Sequence, residues 1–177
     1  MSKKKPKYNK EAAIRGALRR AFSRSPIIQE ILAESRREVP RYKKDGSRHK
    51  KNAVQRQCQT CNEWVSSSKI AVDHIIPVIS VEEGKTDWNS FIERLWCSKD
   101  NLARICHSCH DVKTYGEKIK RLIIKYTKEL NEIEAAPPSK ENIKLLSKYI
   151  SKKKTPELIT ISERALKIKL SLQRVLQ

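Results

Sequence analysis

The chain is 177 residues long, with 38% hydrophobic and 33% charged residues, only 4 glycines and a formal net charge of +19. That length allows one ordinary domain or a small core with appended segments, and the scarcity of glycine favours helices over an all-β fold. No apolar run approaches membrane-span length and no hydrophobic stretch follows the lysine-rich start, which predicts a reducing, intracellular setting without a membrane partner, while the charge points to a polyanion.

Residues 1–10 read as a disordered basic arm. A helix is predicted from Glu11, with Ala12, Ile14, Ala17, Leu18, Ala21 and Phe22 at helical spacing and Arg15, Arg19 and Arg20 facing elsewhere. Ser25-Pro26 restarts the chain as an N-cap followed by proline, and a second helix is expected to run to about Glu38. Arg41 to Gln57 is polar and basic, with Asp45-Gly46 as a turn, and reads as a loop or linker. Lys69 to Val78 is β-branched and apolar, so a strand or hairpin is expected there. Asp87 to Trp96 predicts a short amphipathic helix with Trp88, Phe91, Ile92 and Leu95 inward. Asn101 to Ile105 leads into a helix carrying His110 and Lys113. Beyond Gly116, Ile119, Leu122, Ile123, Tyr126, Leu130 and Ile133 mark a helix that ends at Pro137-Pro138. Ser139 caps the next, with Ile143, Leu146 and Ile150 inside it. Thr155-Pro156 opens a last helix, in which Leu158, Ile161, Ala165, Ile168, Leu172 and Val175 form a seam of under three heptads. Such a seam suits three helices packed together or pairing with a second copy. The architecture expected is therefore small α+β, in three parts: residues 1–57, a helical basic arm and linker; residues 58–116, a small core of strand and helix; and residues 117–177, a helical module for binding the polyanion or for dimerisation.

Charge follows the same division. Residues 1–57 hold 18 Lys+Arg against 5 Asp+Glu, residues 58–116 hold 6 against 8, and residues 117–177 hold 15 against 7. A near-neutral centre between two basic flanks suits a chemical module held on a polyanion by its extensions.

The centre carries the most specific pattern in the chain. Cys58-Gln59-Thr60-Cys61 and Cys106-His107-Ser108-Cys109 are two Cys-x-x-Cys pairs, the spacing of a closed tetrahedral zinc site. Cys97 reads as a small buried hydrophobe. Asp73, His74 and His110 are left over from that zinc. A phosphodiester attacked by water needs a base, a cation and stabilisation of the departing oxygen. His74 suits the base, and Asp73 with His110 suit a divalent ion such as Mg²⁺, Mn²⁺ or Zn²⁺. Side chains of successive strand residues point to opposite faces, so Asp73 and His74 can share one ion only where a strand ends or bends. His107 reads as an exposed bystander, its alternative being to replace His110. His49 reads as a phosphate contact or nothing. Phosphate binding is expected of Arg15, Arg19, Arg20, Arg24, Lys50, Lys51 and Lys113.

On these residues the segment Cys58 to Thr114 resembles the zinc-bound HNH endonuclease family of the ββα-metal fold. Asp73-His74-Ile75-x-Pro77 matches its Asp-His-Ile-x-Pro core. Asn101, Leu102, Cys106, Cys109, His110, Lys113 and Thr114 match its Asn-Leu-x-x-Leu-Cys-x-x-Cys-His-x-x-Lys-Thr, with Ile105 in place of leucine. Residues 14–26 and 87–95 resemble the phage and prophage branch, which would act in the cytoplasm of a host bacterium. The resemblance implies His74 as general base and Asp73 with His110 as ligands of a catalytic Mg²⁺, Mn²⁺, Ni²⁺ or Zn²⁺. It implies that Asn101 holds the hairpin and orients His74, that the four cysteines bind structural zinc, and that the substrate is double-stranded DNA, with homing-type or nicking action. The rival reading is a zinc-dependent DNA-binding or adaptor protein with an inactive nuclease site. The oligomeric expectation is a monomer, or a homodimer through the C-terminal helices.

Overall fold

The computed structural model describes residues 8–150 and 155–176. Most of the basic arm expected over residues 1–10 lies outside the described residues, and Lys10 already belongs to a helix. The described residues form six α-helices and two small antiparallel sheets. They divide into two compact units, Met1–Val112 and Lys113–Gln177.

In the first unit, α1 (Lys10–Phe22) starts where the Asn9 side chain accepts the Ala12 N–H at 3.0 Å. Its expected apolar face is largely a run of small side chains in solvent: Phe22 is buried, Leu18 half-buried, and Ala12, Ile14, Ala17 and Ala21 exposed. Proline at the first turn opens α2 (Pro26–Ala33), which buries Ile28 and Ile31. This helix stops five residues short of the expected Glu38. Ser35 turns the chain instead, its hydroxyl accepting the Gln57 N–H at 2.8 Å, and Arg37–Val39 becomes strand β1.

The segment expected to be a linker is also partly sheet. Strand β2 (Ala53–Gln57) pairs antiparallel with β1, Arg37 opposite Gln55, and with β3 (Trp64–Ser66), Gln57 opposite Trp64. Its sequence Ala-Val-Gln-Arg-Gln lacks the apolar alternation that marks a strand, because all five residues are only half-buried. Side-chain contacts hold it: Arg37 lies over the Trp64 ring at 4.2 Å and donates from Nε to the Gln55 amide oxygen at 2.9 Å.

Strands β4 (Ile70–His74) and β5 (Leu102–Cys106) form the second sheet, in register from Ile70 opposite Cys106 to His74 opposite Leu102. Between them the chain makes α3 (Trp88–Leu95), capped by the Asp87 carboxylate on the Ser90 N–H at 2.9 Å. The Ser90 hydroxyl and backbone N–H, with smaller help from Thr86, hold the Asp87 carboxyl down at about 2. Phe91 and Leu95 face inward as expected, but Ile92 is 40% exposed. Phe22, Ile28, Ile31, Val78, Phe91, Leu95 and Leu102 make one core, so α1 and α2 pack with α3 and β5. Helix α4 (His107–Ala135) follows β5 directly.

The second unit is three helices on one core. Tyr126, Leu130 and Ile133 of α4 meet Leu146 and Tyr149 of α5 (Lys140–Ile150) and Leu158, Ile161, Ala165, Ile168 and Leu172 of α6 (Pro156–Val175). The Ser139 and Thr155 hydroxyls cap α5 and α6 at 3.1 and 3.4 Å. The heptad-like seam is buried within the unit as far as Leu172; Val175 is 67% exposed. Tyr149, which the sequence pattern passed over, is buried in this core with its hydroxyl on Glu129. Burial and that carboxylate push its phenol up to about 12.

Candidate metal centre and active site

The four cysteines come together from two separate turns. Cys58 follows β2 and starts a tight turn: its carbonyl accepts the Asn62 N–H at 2.9 Å, and Asn62 takes a left-handed φ of 60°, tolerable for asparagine. Cys106 ends β5, and Cys109 lies in the first turn of α4. Gln59 joins the two elements: its N–H donates to the Arg104 carbonyl at 2.8 Å and its side-chain oxygen accepts the Arg104 N–H at 2.6 Å. All four sulfurs lie within 4.8 Å of one another, Cys61 and Cys106 at 3.9 Å. Sulfurs at tetrahedral Zn–S bond lengths stand about 3.8 Å apart, so this donor set can hold a metal such as zinc.

Their protonation pattern belongs to the cluster. Burial opposes ionisation of Cys58, but N–H groups of Cys61, Cys106 and Thr60 outweigh it and bring the Cys58 thiol down to about 6. The N–H groups of Cys106 and Thr60 reach its sulfur at 3.3 and 3.4 Å. Cys109 moves the other way, up to about 12, through its hydrogen bond with Cys106, burial and the sulfurs of Cys61 and Cys58. At Cys61 the Glu63 N–H favours ionisation, yet the Cys58 sulfur and burial prevail and raise it. A thiolate crowded by three more sulfurs is a donor set that a dication relieves.

Asp73 and His74 leave the last two positions of β4 in different directions. The Asp73 carboxylate faces α4, with Oδ1 at 3.9 Å from His110 Nε2. Two ligands of one ion at roughly 2.1 Å each stand roughly 3 to 4.2 Å apart, so the pair fits a divalent ion. His74 turns inward, only 7% exposed. Its ring packs on Phe22 at 5.1 Å, and Phe22 meets Trp96 edge-on at 5.7 Å. His74 Nε2 lies 2.9 Å from the Leu95 carbonyl. A carbonyl only accepts, so Nε2 carries a proton, and in the neutral ring the basic lone pair is on Nδ1.

Asn101 fixes the chain just after His74. Its carbonyl accepts the Ile75 N–H at 2.8 Å, its side-chain oxygen accepts the Ile76 N–H at 2.7 Å, and its amide donates to the Ile76 carbonyl at 3.4 Å. Cys97 is half-buried beside the core of the first unit, outside the sulfur cluster. His107 is exposed at the start of α4. His49 accepts the Lys51 N–H on Nδ1 at 3.1 Å.

The expected phosphate-binding cations come from separate stretches: α1 and the turn after it, the segment before β2, and α4. Arg19, Arg20, Arg24, Lys50 and Lys51 are exposed. Arg15 is half-buried with Glu11 at 3.7 Å, and Arg19 also reaches over the Phe91 ring at 5.9 Å. Lys113, on α4, pairs with Glu117 at 3.2 Å.

Sequence reasoning missed Arg104, Phe22 as the cover of His74, and the Leu95 carbonyl. Arg104 is buried, donating to the Ile31 carbonyl at 2.6 Å and the Gln57 carbonyl at 3.3 Å, with Glu34 at 3.3 Å. The available signal was its place between Leu102 and Cys106 on one face of a strand. A carbonyl leaves no signal in a sequence.

Compared with protein-family models, curated proteins and solved structures, the chain finds no match. Among the described residues no helix is long and apolar enough to cross a membrane.

Proposed function

We propose that the chain is a metal-dependent DNA endonuclease of the zinc-bound HNH type. The observation that carries the reading is the pairing of Asp73 with His110 across β4 and α4, at 3.9 Å, on the same strand–strand–helix unit that carries Cys106 and Cys109 of the four-cysteine cluster. The order β4, β5, α4 supports a ββα-metal core, and the four thiols support a structural zinc. His74, with Nε2 given to the Leu95 carbonyl, takes the proton of the attacking water on Nδ1. Asp73 and His110 are the ligands of a divalent ion, Mg²⁺, Mn²⁺, Ni²⁺ or Zn²⁺, which when bound neutralises charge on the scissile phosphate and the departing oxygen. Asn101 is a positioning residue: its bonds to Ile75 and Ile76 hold the turn that aims His74. Arg15, Arg19, Arg20, Arg24, Lys50, Lys51 and Lys113 hold the backbone of double-stranded DNA. A phage-encoded enzyme acting inside a bacterium fits this chemistry.

One observation favours the rival reading, a zinc-dependent DNA-binding or adaptor protein: His74 is packed under Phe22 and almost inaccessible. Supercoiled plasmid separates the two. With the four ions tried in turn, the wild type should yield nicked or linear product with at least one. His74→Ala should lose about 100-fold or more of that rate, with zinc content and duplex affinity kept. His110→Ala should recover in part as Mn²⁺ is raised. A wild type that shifts DNA in a gel yet cuts with none of the ions is the adaptor.

A further inference from the structure

We propose that residues 41–51 form a cationic β-ribbon that enters the major groove of double-stranded DNA. The inference rests on duplex DNA as the partner proposed above, but not on cleavage. The sequence Arg-Tyr-Lys-Lys-Asp-Gly-Ser-Arg-His-Lys-Lys holds six cations and one acid. It joins β1 to β2 and carries that pairing outward as a structured finger. Tyr42 and Arg48 stand opposite each other in an antiparallel bridge. The Lys43 N–H donates to the Ser47 carbonyl at 2.8 Å and the His49 N–H to the Arg41 carbonyl at 2.7 Å. The tip closes on Gly46 at φ 82°, with its N–H on the Lys43 carbonyl at 3.0 Å.

Three features distinguish this finger from an ordinary solvated charge run. Its single acid is engaged within the tip, since Asp45 accepts from the Ser47 N–H at 2.9 Å and hydroxyl at 2.7 Å. Its six cations are exposed and form no ion pair among the described residues, whereas Arg36, Lys99 and Arg104 of the same unit are paired with carboxylates. The cations also occupy both faces. Residues directly opposite share a face and neighbours alternate, which places Arg48 with Tyr42 on one side and Arg41 with Lys43 on the other. A ribbon lying flat on a phosphate surface needs cations on one face only. A ribbon inside a groove meets a phosphate wall on each side, and the major groove of B-DNA, about 12 Å wide, admits two strands. Lys50 and Lys51 then lie at the base of the finger, where the groove edge would pass.

The test uses the full chain carrying His74→Ala, so that DNA survives the measurement, and a 30-base-pair duplex followed by fluorescence anisotropy over a salt series. Arg48→Ala/Lys50→Ala/Lys51→Ala and Arg41→Ala/Lys43→Ala probe the ribbon separately. Lys128→Ala/Lys140→Ala/Lys144→Ala removes as much charge elsewhere as the triple variant, and Lys140→Ala/Lys144→Ala as much as the double. Each ribbon variant that keeps its zinc and circular dichroism carries the test alone. Expected are an affinity about tenfold weaker or more, and a salt slope flattened by about 0.9 for each phosphate no longer neutralised, both exceeding the control. Methyl green, a major-groove ligand, should displace the parent, and netropsin, a minor-groove ligand, should not. Parent-like affinity and slope in the ribbon variants, weakening no larger than the control's, or displacement by netropsin instead of methyl green would overturn the proposal. If the ribbon variants lose duplex binding while the wild type never cuts plasmid, the ribbon stands and the nuclease reading alone falls.

Discussion

The two units of this chain solve the same stability problem with different means. Among the described residues the second buries ten from three helices in one apolar cluster, all of them Leu, Ile or Tyr except Ala165. The first divides its apolar residues between two smaller clusters, one of which consists of Cys58, Ile70, Ile105 and Cys106 at its centre. Half of that inner cluster is sulfur. Where the second unit relies on hydrophobic burial, the first relies on side chains bonded to backbone: Ser35 to Gln57, Gln59 to Arg104, Arg104 to Ile31, Asn101 to Ile76, beside four thiols that could hold a metal. The lesson is that short strands with little to bury can be held in register by polar latches.

Removing the metal should break the comparison most sharply. Cys58→Ser or a strong chelator should unfold the first unit, since structural zinc contributes on the order of 10 kcal/mol in small domains, while the second keeps its helical circular dichroism. Elemental analysis of the wild type should give one tightly held zinc. A zinc-free chain with an unchanged first transition would mean that the units do not differ in this way.

Proton linkage sharpens the same point. Zinc binds thiolates, and Cys61 and Cys109 are raised in the metal-free cluster while Cys58 is already down at about 6. Zinc uptake at pH 7 should therefore release at least two protons per ion, and affinity should fall by about 100-fold or more per pH unit on acidification. Indicator-dye titration reads the protons directly; zinc uptake without proton release would contradict the assignment.

Leu130→Ala addresses the other unit. Leu130 is fully buried among the three helices, and the truncation should cost about 2–5 kcal/mol in the transition of the second unit. Zinc stoichiometry should stay the same. Loss of zinc in this variant would show that the units are not independent.

Arg104→Met tests the polar latches. The Ile31 and Gln57 carbonyls lose their donor, at about 1–3 kcal/mol, and the first transition should fall while the second does not move. Thr155→Ala should have the smallest effect, about 1 kcal/mol for a lost N-cap, and only on the three-helix transition. Thermal melts resolved into two steps measure both.

The sequence by itself determined what is local. Proline announced α2, the Ser25 hydroxyl making no cap bond there, and hydroxyl caps announced α5 and α6; helical spacing found the buried faces of α4 and α6, because those signals act within a few residues. Cysteine spacing alone selected the four sulfurs that converge, since Cys-x-x-Cys commits each pair to one turn. Tertiary structure decided the rest. The chain leaves α2 early and makes β1 and β2 from polar residues, because Arg37, Gln55 and Trp64 stabilise those strands through each other across 18 or more positions of sequence. Ile92 and most of the apolar side of α1 are exposed because none of the described residues of the first unit packs over them, a fact no periodicity encodes. Asp73 and His110, 37 positions apart, meet only because β4 and β5 pair in one register and α4 starts where β5 ends. The tautomer of His74 depends on the carbonyl of Leu95, a backbone atom whose position is set by the packing of α3 and is written in no side chain.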